Sequence, residues 1–247
     1  MSGVDLSNLS ELVIFGASKG IGAAIARELA LKKLPKIHLV ARNKEAMATL
    51  ATELGSSDVE IVCHEVDLAS EKEVERLFHH FEDQGAFPRH WIFSVGGFPG
   101  GQLSKGPFES YTWAGVKELL ELNLEIPMRL SLRIVPELLR AGTPASLIYL
   151  SSQAGFHGRA GLLPYSTAKF GLNGFAKSLF AELRESLVKV CLVAPGYVDT
   201  DLIPESPQLD KSKMIEAHDV ATAVSWALSV SKRCCPIELH LLTQQQP

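Results

Sequence analysis

The sequence predicts an α/β fold, a single doubly wound domain with about seven parallel strands and helices on both faces of the sheet. Short runs rich in Val, Ile and Leu alternate with longer segments of helical periodicity along the 247 residues. The short runs carry few charges, as strands buried on both faces do. Because no repeat, low-complexity stretch or linker divides the chain, we expect one domain over residues 1–247.

Each strand is predicted from an apolar run, and each helix from a periodic segment that follows one. The predicted strands are 12–15, 37–40, 60–63, 91–94, 146–150, 188–193 and 238–241. The predicted helices are 20–33, 44–54, 71–84, 112–140, 164–185 and 218–231. Two segments interrupt this alternation, the Gly/Pro-rich 98–110 and the proline-containing 199–216. Long loops at the carboxyl ends of parallel strands usually form the ligand pocket, so we expect both to border one.

Composition argues against several functional classes. The net charge of −4 does not suit a general nucleic-acid surface. No run reaches the ~18 apolar residues that a membrane helix needs, and residues 1–10 lack the pattern of a signal peptide. The cysteines are Cys63, Cys191, Cys234 and Cys235, and they show no metal-ligand spacing. We therefore expect a cytoplasmic protein with free thiols and with no metal, membrane or nucleic-acid partner.

A glycine-rich turn joins the first predicted strand to the first predicted helix, with the spacing GxxxGxG over residues 16–22. Glycines let the backbone approach a pyrophosphate, whose charge is met by the helix N-terminus. A tight turn without a ligand has the same composition, but its place in the first strand–helix unit favours a dinucleotide site. The predicted contacts are Gly16, Ser18, Lys19, Gly20, Ile21 and Gly22.

The identity of the dinucleotide is predicted from the charge at the end of the second strand. A cofactor without a 2′-phosphate usually meets an acid there, whereas this chain has Arg42 and no acid. Arg42 can form a fork to a phosphate, and Lys19 in the glycine loop can approach the same group, so we expect NADP(H). Asp67, followed by Leu68, either accepts the adenine amino hydrogens or caps the next helix.

Three polar residues predict the chemistry. Tyr165 and Lys169 are four residues apart, and Ser152 lies thirteen residues before Tyr165. Positions i and i+4 share a helix face, so we expect the Lys169 ammonium to lower the pKa of Tyr165 by favouring the phenolate. Tyr165 then acts as an acid near neutral pH, while Ser152 holds the oxygen that receives the proton. This trio predicts reduction of a carbonyl group, or the reverse oxidation.

Asn123 is singled out by Pro127, which lies four residues later in a predicted helix. A proline has no N–H for the carbonyl of residue i−4, here that of Asn123. A carbonyl freed at a kink can hold a water molecule. We therefore expect a kinked helix at this position, and a straight helix through 119–131 would remove the basis for a water site.

Together these features resemble the classical short-chain dehydrogenase/reductase (SDR) family from residue 12 to about residue 242. The matching motifs are GxxxGxG at 16–22, Asn123, Ser151-Ser152, YxxxK at 165–169, and Pro195-Gly196 followed by Thr200. The resemblance implies that Tyr165 is the general acid/base and that Lys169 binds the nicotinamide ribose and tunes Tyr165. It also implies that Ser152 positions the substrate oxygen and that Asn123 anchors a water-linked proton relay.

The resemblance extends to the cofactor edge and to assembly. It implies that Pro195, Gly196, Val198 and Thr200 border the nicotinamide and its phosphate. The chain has Ser94-Val95-Gly96-Gly97 where many members have Asn-Asn-Ala-Gly, and Gly97 keeps the close backbone approach. The tail 237–247 lacks the Asp-Gly-Gly often seen after the last strand of tetrameric reductases. We expect a homodimer through the two long helices, with a homotetramer as the alternative.

The substrate is expected to be a small carbonyl compound with an apolar body. The pocket candidates are Phe98, Leu103, Phe156, His157, Leu162, Leu163, Tyr197, Leu202 and Ile203. The resemblance suggests the 3-oxoacyl-reductase and general carbonyl-reductase branches without choosing between them. Two alternatives stay open: oxidation of a secondary alcohol such as a sterol or sugar, and a non-catalytic NADP(H)-binding sensor or scaffold.

Overall fold

The computed structural model describes residues 6–55, 58–85, 87–98, 107–203, 205, 207 and 209–247. Its strands are β1 (Leu12–Phe15), β2 (Lys36–Ala41), β3 (Glu60–Glu65), β4 (His90–Phe93), β5 (Ala145–Leu150), β6 (Val188–Pro195), β7 (Val198–Asp199), β8 (Ile215–Glu216) and β9 (Glu238–Leu241). Seven of them form one sheet in the order β3-β2-β1-β4-β5-β6-β9. Every neighbouring pair in this sheet is parallel, which confirms the predicted fold class.

Helices cover both faces of the sheet. They are α1 (Gly20–Leu31), α2 (Lys44–Leu54), α3 (Glu71–Asp83), α4 (Trp113–Leu120), α5 (Ile126–Ala141), α6 (Leu163–Leu183) and α7 (Ala217–Ser229). One apolar core joins the sheet to α1, α2 and α7. A second core joins the opposite face to α3, α5 and α6. Strands between two such layers are buried on both sides, which explains why every residue of β1 and β5 is buried.

The strand order reverses direction between β1 and β4, which are neighbours in the sheet although two strands separate them in sequence. Immediately after these strands the chain stays close together, because the Ser94 N–H donates to the Phe15 carbonyl at 3.0 Å. In open α/β sheets, ligands bind outside the carboxyl ends of the strands at such a switch point. The fold therefore places the binding cleft beside the glycine loop after β1.

The predicted strands and helices agree with the structure to within two residues at each end, except for the predicted helix 112–140. That segment is divided into α4, a π-helical turn at Glu121–Glu125, and α5. Pro127 lies in the first turn of α5, directly after the π turn. The π turn lies where the sequence predicted a kink, and the water site at the Asn123 carbonyl stays a prediction.

The pair β7–β8 was not predicted. These two-residue strands run parallel to each other within the segment that the sequence assigned to a loop. Of the predicted loop 98–110, residues 99–106 lie outside the described part of the chain. No helix among the described residues is long and apolar enough to cross a membrane.

Candidate active site

The glycine loop makes a turn that only glycine can occupy at two positions. Gly16, directly after β1, has φ +80°, and a Cβ there would lie 2.7 Å from the Ser94 carbonyl oxygen. Gly22 packs its Cα against the same turn, where a Cβ would lie 2.2 Å from the Gly16 carbonyl oxygen. Lys19 is the N-cap of α1, and its side chain makes no capping hydrogen bond. The first N–H groups of α1 therefore face the cleft without a side-chain cap, as an anion site requires.

The second cofactor feature lies after β2, whose last residue is Ala41. Arg42 follows it directly, and both Arg42 and Lys19 are exposed. Neither forms an ion pair with another described residue, although many other cations in the described part of the chain do. Asn43 is already engaged, because its Oδ1 caps α2 by accepting from the Ala46 N–H at 2.8 Å. The end of β2 therefore carries a cation and no acid of its own, while Glu65 lies beside it at the end of β3.

Asp67 follows β3, as the sequence predicted, but it does not cap the next helix. Its Oδ1 accepts from the Ala69 N–H at 3.1 Å, and Ser70 is the N-cap of α3. The capping alternative for Asp67 is therefore wrong, because the helix begins one turn later. The Leu68 side chain is buried in the core, and its carbonyl accepts from Arg129 Nη2 at 2.7 Å.

Asn123 lies in the π turn and is fully buried. Its Nδ2 donates to the Gly97 carbonyl at 2.8 Å, and its Oδ1 accepts from the Gly97 N–H at 2.9 Å. Nδ2 also donates to the Leu119 carbonyl at 3.0 Å, which fixes the amide orientation. The sequence argument concerned the Asn123 carbonyl, whereas the side chain makes these contacts. They hold the loop after β4 against the helix.

Ser152 and Tyr165 are brought together from two elements. Ser152 follows β5 in extended backbone and caps the 3-10 turn Gln153–Gly155, where its Oγ accepts from the Ala154 N–H at 3.1 Å. Tyr165 lies in the first turn of α6, directly after Pro164. Ser152 is the side chain that opposes the effect of burial on Tyr165, because it acts to lower the pKa of that phenol. Ser152 is thus both a cap and a partner of Tyr165.

Lys169 lies one turn after Tyr165 and is 3% exposed. Its Nζ donates to the Leu150 carbonyl at 3.0 Å and lies 5.7 Å from the centre of the Tyr165 ring. A Cβ on Gly96 would lie 3.2 Å from this Nζ and 2.9 Å from Asn123 Oδ1. Tyr165, Lys169 and Asn123 therefore converge on the backbone that follows β4.

The pKa values differ from the prediction. Burial raises the pKa of Tyr165 to about 12, although the hydrogen bond with Ser152 acts in the opposite direction. Burial also lowers the pKa of Lys169 to about 8. The expected lowering of the Tyr165 pKa by Lys169 is therefore not seen in the protein alone, because burial dominates and the opposing effect comes from Ser152. Tyr165 is a neutral phenol at physiological pH, which is the form that gives up a proton.

A cavity of about 110 Å³ opens beside Tyr165. Its walls are Ile21, Phe98, Ser151, Ser152, Gln153, Ala154, Arg159, Leu162, Tyr165, Pro195, Gly196, Tyr197, Val198, Thr200, Leu202 and Ile203. The cavity thus joins the glycine loop, the Ser152–Tyr165 pair and the predicted cofactor edge at Pro195–Thr200. Phe98 stacks on the Tyr165 ring at 4.6 Å between centroids, so the Tyr165 side chain lies in a largely apolar wall.

The structure sorts the predicted pocket residues into two groups. Phe98, Leu162, Tyr197, Leu202 and Ile203 line the cavity. The other three described candidates are not among its walls: Phe156 packs on His240 at 4.5 Å, while His157 and Leu163 are exposed. Leu103 lies outside the described residues.

Sequence reasoning missed a polar network behind the site. Ser151 donates to Asn173 Oδ1 at 2.5 Å, and Asn173 Nδ2 donates to the Gly155 carbonyl at 2.8 Å. Asn173 stands four residues after Lys169 on the same face of α6, so the helical spacing that joins Tyr165 to Lys169 points to it as well. Gln153 and Arg159 were also missed, and both line the cavity.

These features agree with comparisons to known proteins, which identify the class. The chain belongs to the short chain dehydrogenase family, because the sequence model of that family matches residues 11–210. Carbonyl reductase family member 4 of Xenopus laevis is 28% identical over 221 residues, covering 87% of this chain and 89% of that protein. The 3-oxoacyl-acyl-carrier-protein reductase of Homo sapiens has the same identity, length and coverage.

Solved structures give the same result for the fold. A metagenomic short-chain oxidoreductase in complex with NADP superposes with a TM-score of 0.78 at 26% identity, covering 96% of this chain and 98% of that one. The chain is therefore an oxidoreductase of this family in both sequence and architecture.

Proposed function

We propose that this protein is an NADP(H)-dependent reductase of ketones or aldehydes, with Tyr165 as the general acid. One observation carries the proposal. Tyr165 and Ser152 line one cavity together with Ile21 of the glycine motif and with Thr200. A proton donor, a second hydroxyl and a dinucleotide loop around one small cavity are what carbonyl reduction requires.

The chain's own residues suit a phosphorylated dinucleotide. Gly16 and Gly22 form a turn that a single Cβ would fill, and the uncapped N-terminus of α1 faces it. Arg42 and Lys19 supply two exposed cations, with no acid at the end of β2 to repel a 2′-phosphate. The metagenomic relative bound to NADP supports the same choice. When bound, NADPH supplies the hydride.

The protein's part in the reaction is to bind the carbonyl and to deliver a proton. Ser152 donates a hydrogen bond to the substrate oxygen, and Tyr165 transfers its proton to that oxygen as negative charge develops there. The raised pKa keeps Tyr165 protonated before the reaction. Phe98 and Leu162 exclude water from this edge of the cavity.

Lys169 and Asn123 support the site from positions that do not line the cavity itself. The Lys169 ammonium, fixed by the Leu150 carbonyl, stabilises the phenolate that remains after proton transfer and binds the nicotinamide ribose. Asn123 holds Gly97, and so the backbone approach to the cofactor, and it anchors the relay that restores the proton of Tyr165. Asp67 lies at the end of β3, where it would accept the adenine amino hydrogens.

The substrate is a carbonyl compound with an apolar body, because Leu162, Leu202 and Ile203 form much of the wall. The names of the carbonyl-reductase and 3-oxoacyl-reductase relatives support this class. Reduction is the physiological direction, since cells keep NADPH reduced and Tyr165 is protonated at neutral pH. Oxidation of a secondary alcohol needs the phenolate and is therefore the less favoured alternative.

We extend the proposal to assembly. The chain acts as one domain and forms a homodimer through α5 and α6, which expose Leu132, Leu139 and Phe170. Size-exclusion chromatography with light scattering gives the oligomeric state directly, and a monomer at micromolar concentration would contradict this part.

Consumption of NADPH by the purified protein tests the proposed function, with ketones, aldehydes, quinones and acetoacetyl thioesters as substrates and NADH as the control cofactor. We expect turnover with NADPH and a loss of at least about 100-fold in kcat in Tyr165→Phe. Tyr149→Phe is the matched control, because it also removes a buried hydroxyl. The Tyr149 hydroxyl is hydrogen-bonded to Ser131 at 2.7 Å, and neither residue lines the cavity. Near-normal activity in Tyr165→Phe would refute the assignment, and cofactor binding without any turnover would favour a sensor.

A further inference from the structure

Gln153 is a buried amide beside the reacting hydroxyls, with no role in the proposed proton transfer. It directly follows Ser152, begins the 3-10 turn after β5, and is 4% exposed. It also lines the cavity together with Ser152 and Tyr165. A buried amide in a largely apolar wall must have its polar atoms paired, so its partners show what it has left for a ligand.

Two contacts engage the amide nitrogen. Gln153 Nε2 donates to the Ala194 carbonyl at 2.7 Å, and it lies 3.2 Å from His240 Nδ1. Because a carbonyl can only accept, the nitrogen and not the oxygen of the amide lies at Ala194. The nitrogen has two hydrogens, so the second one is directed to His240. The hydrogen-bonding capacity that remains for a ligand is that of the amide oxygen, which is an acceptor only.

His240 is itself held in the form that accepts this hydrogen bond. Its Nε2 lies 3.5 Å from Glu238 Oε2, and Glu238 forms an ion pair with Lys177 at 2.6 Å. Burial tends to raise the pKa of Glu238, but Lys177 and His240 outweigh it and the pKa is lowered. A carboxylate beside Nε2 keeps the imidazole hydrogen there and leaves Nδ1 as an acceptor. The ring also packs edge-on against Phe156 at 4.5 Å between centroids, which restricts its rotation.

We propose that Gln153 is a specificity-determining residue whose amide oxygen accepts a hydrogen bond from a hydroxyl or N–H group on the substrate, and that His240 is the positioning residue that orients the amide. This proposal rests on the proposed function and narrows its substrate class to carbonyl compounds that carry a hydrogen-bond donor. A substrate without the donor leaves the amide oxygen unpaired in an apolar wall. Such a substrate should therefore bind much more weakly than one that carries the donor.

The test uses sets of three ketones with one carbon skeleton. In each set, one carbon carries a hydroxyl, a methoxy group or hydrogen, and the substituted carbon is moved stepwise away from the carbonyl. The methoxy compound retains an acceptor but has no donor, so it separates donor recognition from polarity. We expect kcat/KM of the wild type to favour the hydroxyl compound by about tenfold or more in at least one set, mainly through KM.

Three variants assign that preference to residues. Gln153→Met, which keeps the length of the side chain, should bring the hydroxyl-to-hydrogen ratio of kcat/KM close to one. His240→Phe, which keeps a ring against Phe156, should also bring this ratio close to one. His240→Asn supplies an acceptor near the position of Nδ1 and should keep the ratio near that of the wild type. Gln84→Met, at the exposed end of α3, is the control for the substitution itself. NADPH binding, followed by fluorescence, shows that each variant is folded.

Two results would overturn the inference while leaving the proposed function intact. In the first, the wild type reduces ketones without preferring the hydroxyl compound in any set. In the second, Gln153→Met or His240→Phe keeps the full preference. Failure of the wild type to oxidise NADPH with any ketone would instead overturn both proposals.

Discussion

Asn123 binds Gly97 through both polar atoms of its side-chain amide. Nδ2 donates to the Gly97 carbonyl at 2.8 Å and Oδ1 accepts from the Gly97 N–H at 2.9 Å, as a neighbouring strand would do. The π turn makes this contact, because it directs a buried helical residue toward the loop after β4. The loop that borders the cofactor cleft is therefore held by a helix at Gly97 as well as by the sheet at Ser94.

We expect Asn123→Ala to cost about 2 to 4 kcal/mol of stability, because it leaves the N–H and C=O of Gly97 without their partner. Turnover should fall at least about tenfold, since Gly96 and Lys169 lie against the same amide. Urea denaturation and steady-state kinetics measure the two effects. Asn43→Ala, which removes only the α2 cap, should cost about 1 kcal/mol and leave turnover unchanged. An active, wild-type-like Asn123→Ala would contradict the positioning role.

Cofactor choice should depend on the cations after β2 and in the glycine loop. Arg42→Ala is expected to lower kcat/KM for NADPH by about ten- to a hundredfold, the loss of a charge-assisted bond, with little change for NADH. Arg42→Asp should shift the preference further toward NADH by adding an acid for the ribose hydroxyls. The adjacent exposed Lys44→Ala serves as the control. An unchanged NADPH-to-NADH ratio in both Arg42 variants would place the phosphate elsewhere.

The pH dependence should follow the two buried titrating groups. Below about pH 8 Lys169 is an ammonium and Tyr165 a phenol, because burial lowers the pKa of Lys169 to about 8 and raises that of Tyr165 to about 12. These are the states that reduction uses. The kcat/KM for reduction should therefore be level near neutral pH and fall as the pH rises past about 8, while oxidation, which needs the phenolate, should rise. Reduction that accelerates on going from neutral to alkaline pH would exclude this assignment.

A substitution at Gly22 tests the phosphate turn, and the same substitution at Gly174 is its control. Gly22→Ala should abolish cofactor binding and destabilise the fold, because the new Cβ would lie 2.2 Å from the Gly16 carbonyl oxygen. Gly174→Ala, in α6, meets nothing within 4 Å and should stabilise the helix by about 0.5 to 1 kcal/mol. Thermal unfolding and NADPH fluorescence distinguish the two. Full NADPH affinity in Gly22→Ala would show that the turn is more tolerant than its geometry implies.

The sequence predicts the sheet well because strands buried on both faces have few charges. The bounds of β1 and β9 match the apolar runs at 12–15 and 238–241 without change. The π turn at Glu121–Glu125 cannot be predicted from the sequence. One inserted residue rotates the apolar face of the helix by only a fraction of a turn, so the hydrophobic pattern still looks helical. The pair β7–β8 is too short to show any alternation.

The site residues also divide into those that the sequence predicts and those that it does not. Ser152, Tyr165 and Lys169 are predicted from spacing, because a strand end and one helix face fix their separation. Gln153 and His240 are 87 residues apart and meet only because β9 adds to the sheet beside β6. The pKa of Tyr165 is also beyond sequence reasoning, since it depends on how much solvent the folded cavity excludes.

The strand order has a consequence for synthesis. Leu12 in β1 pairs with Ile37 in β2 on one side and with His90 in β4 on the other. At about 5 to 20 residues per second, β4 leaves the ribosome roughly 4 to 16 s after β1. During that interval the nascent chain carries the unpaired, wholly apolar edge Leu12-Val13-Ile14-Phe15. This edge is where a chaperone should bind the growing chain, and where premature release would lead to aggregation.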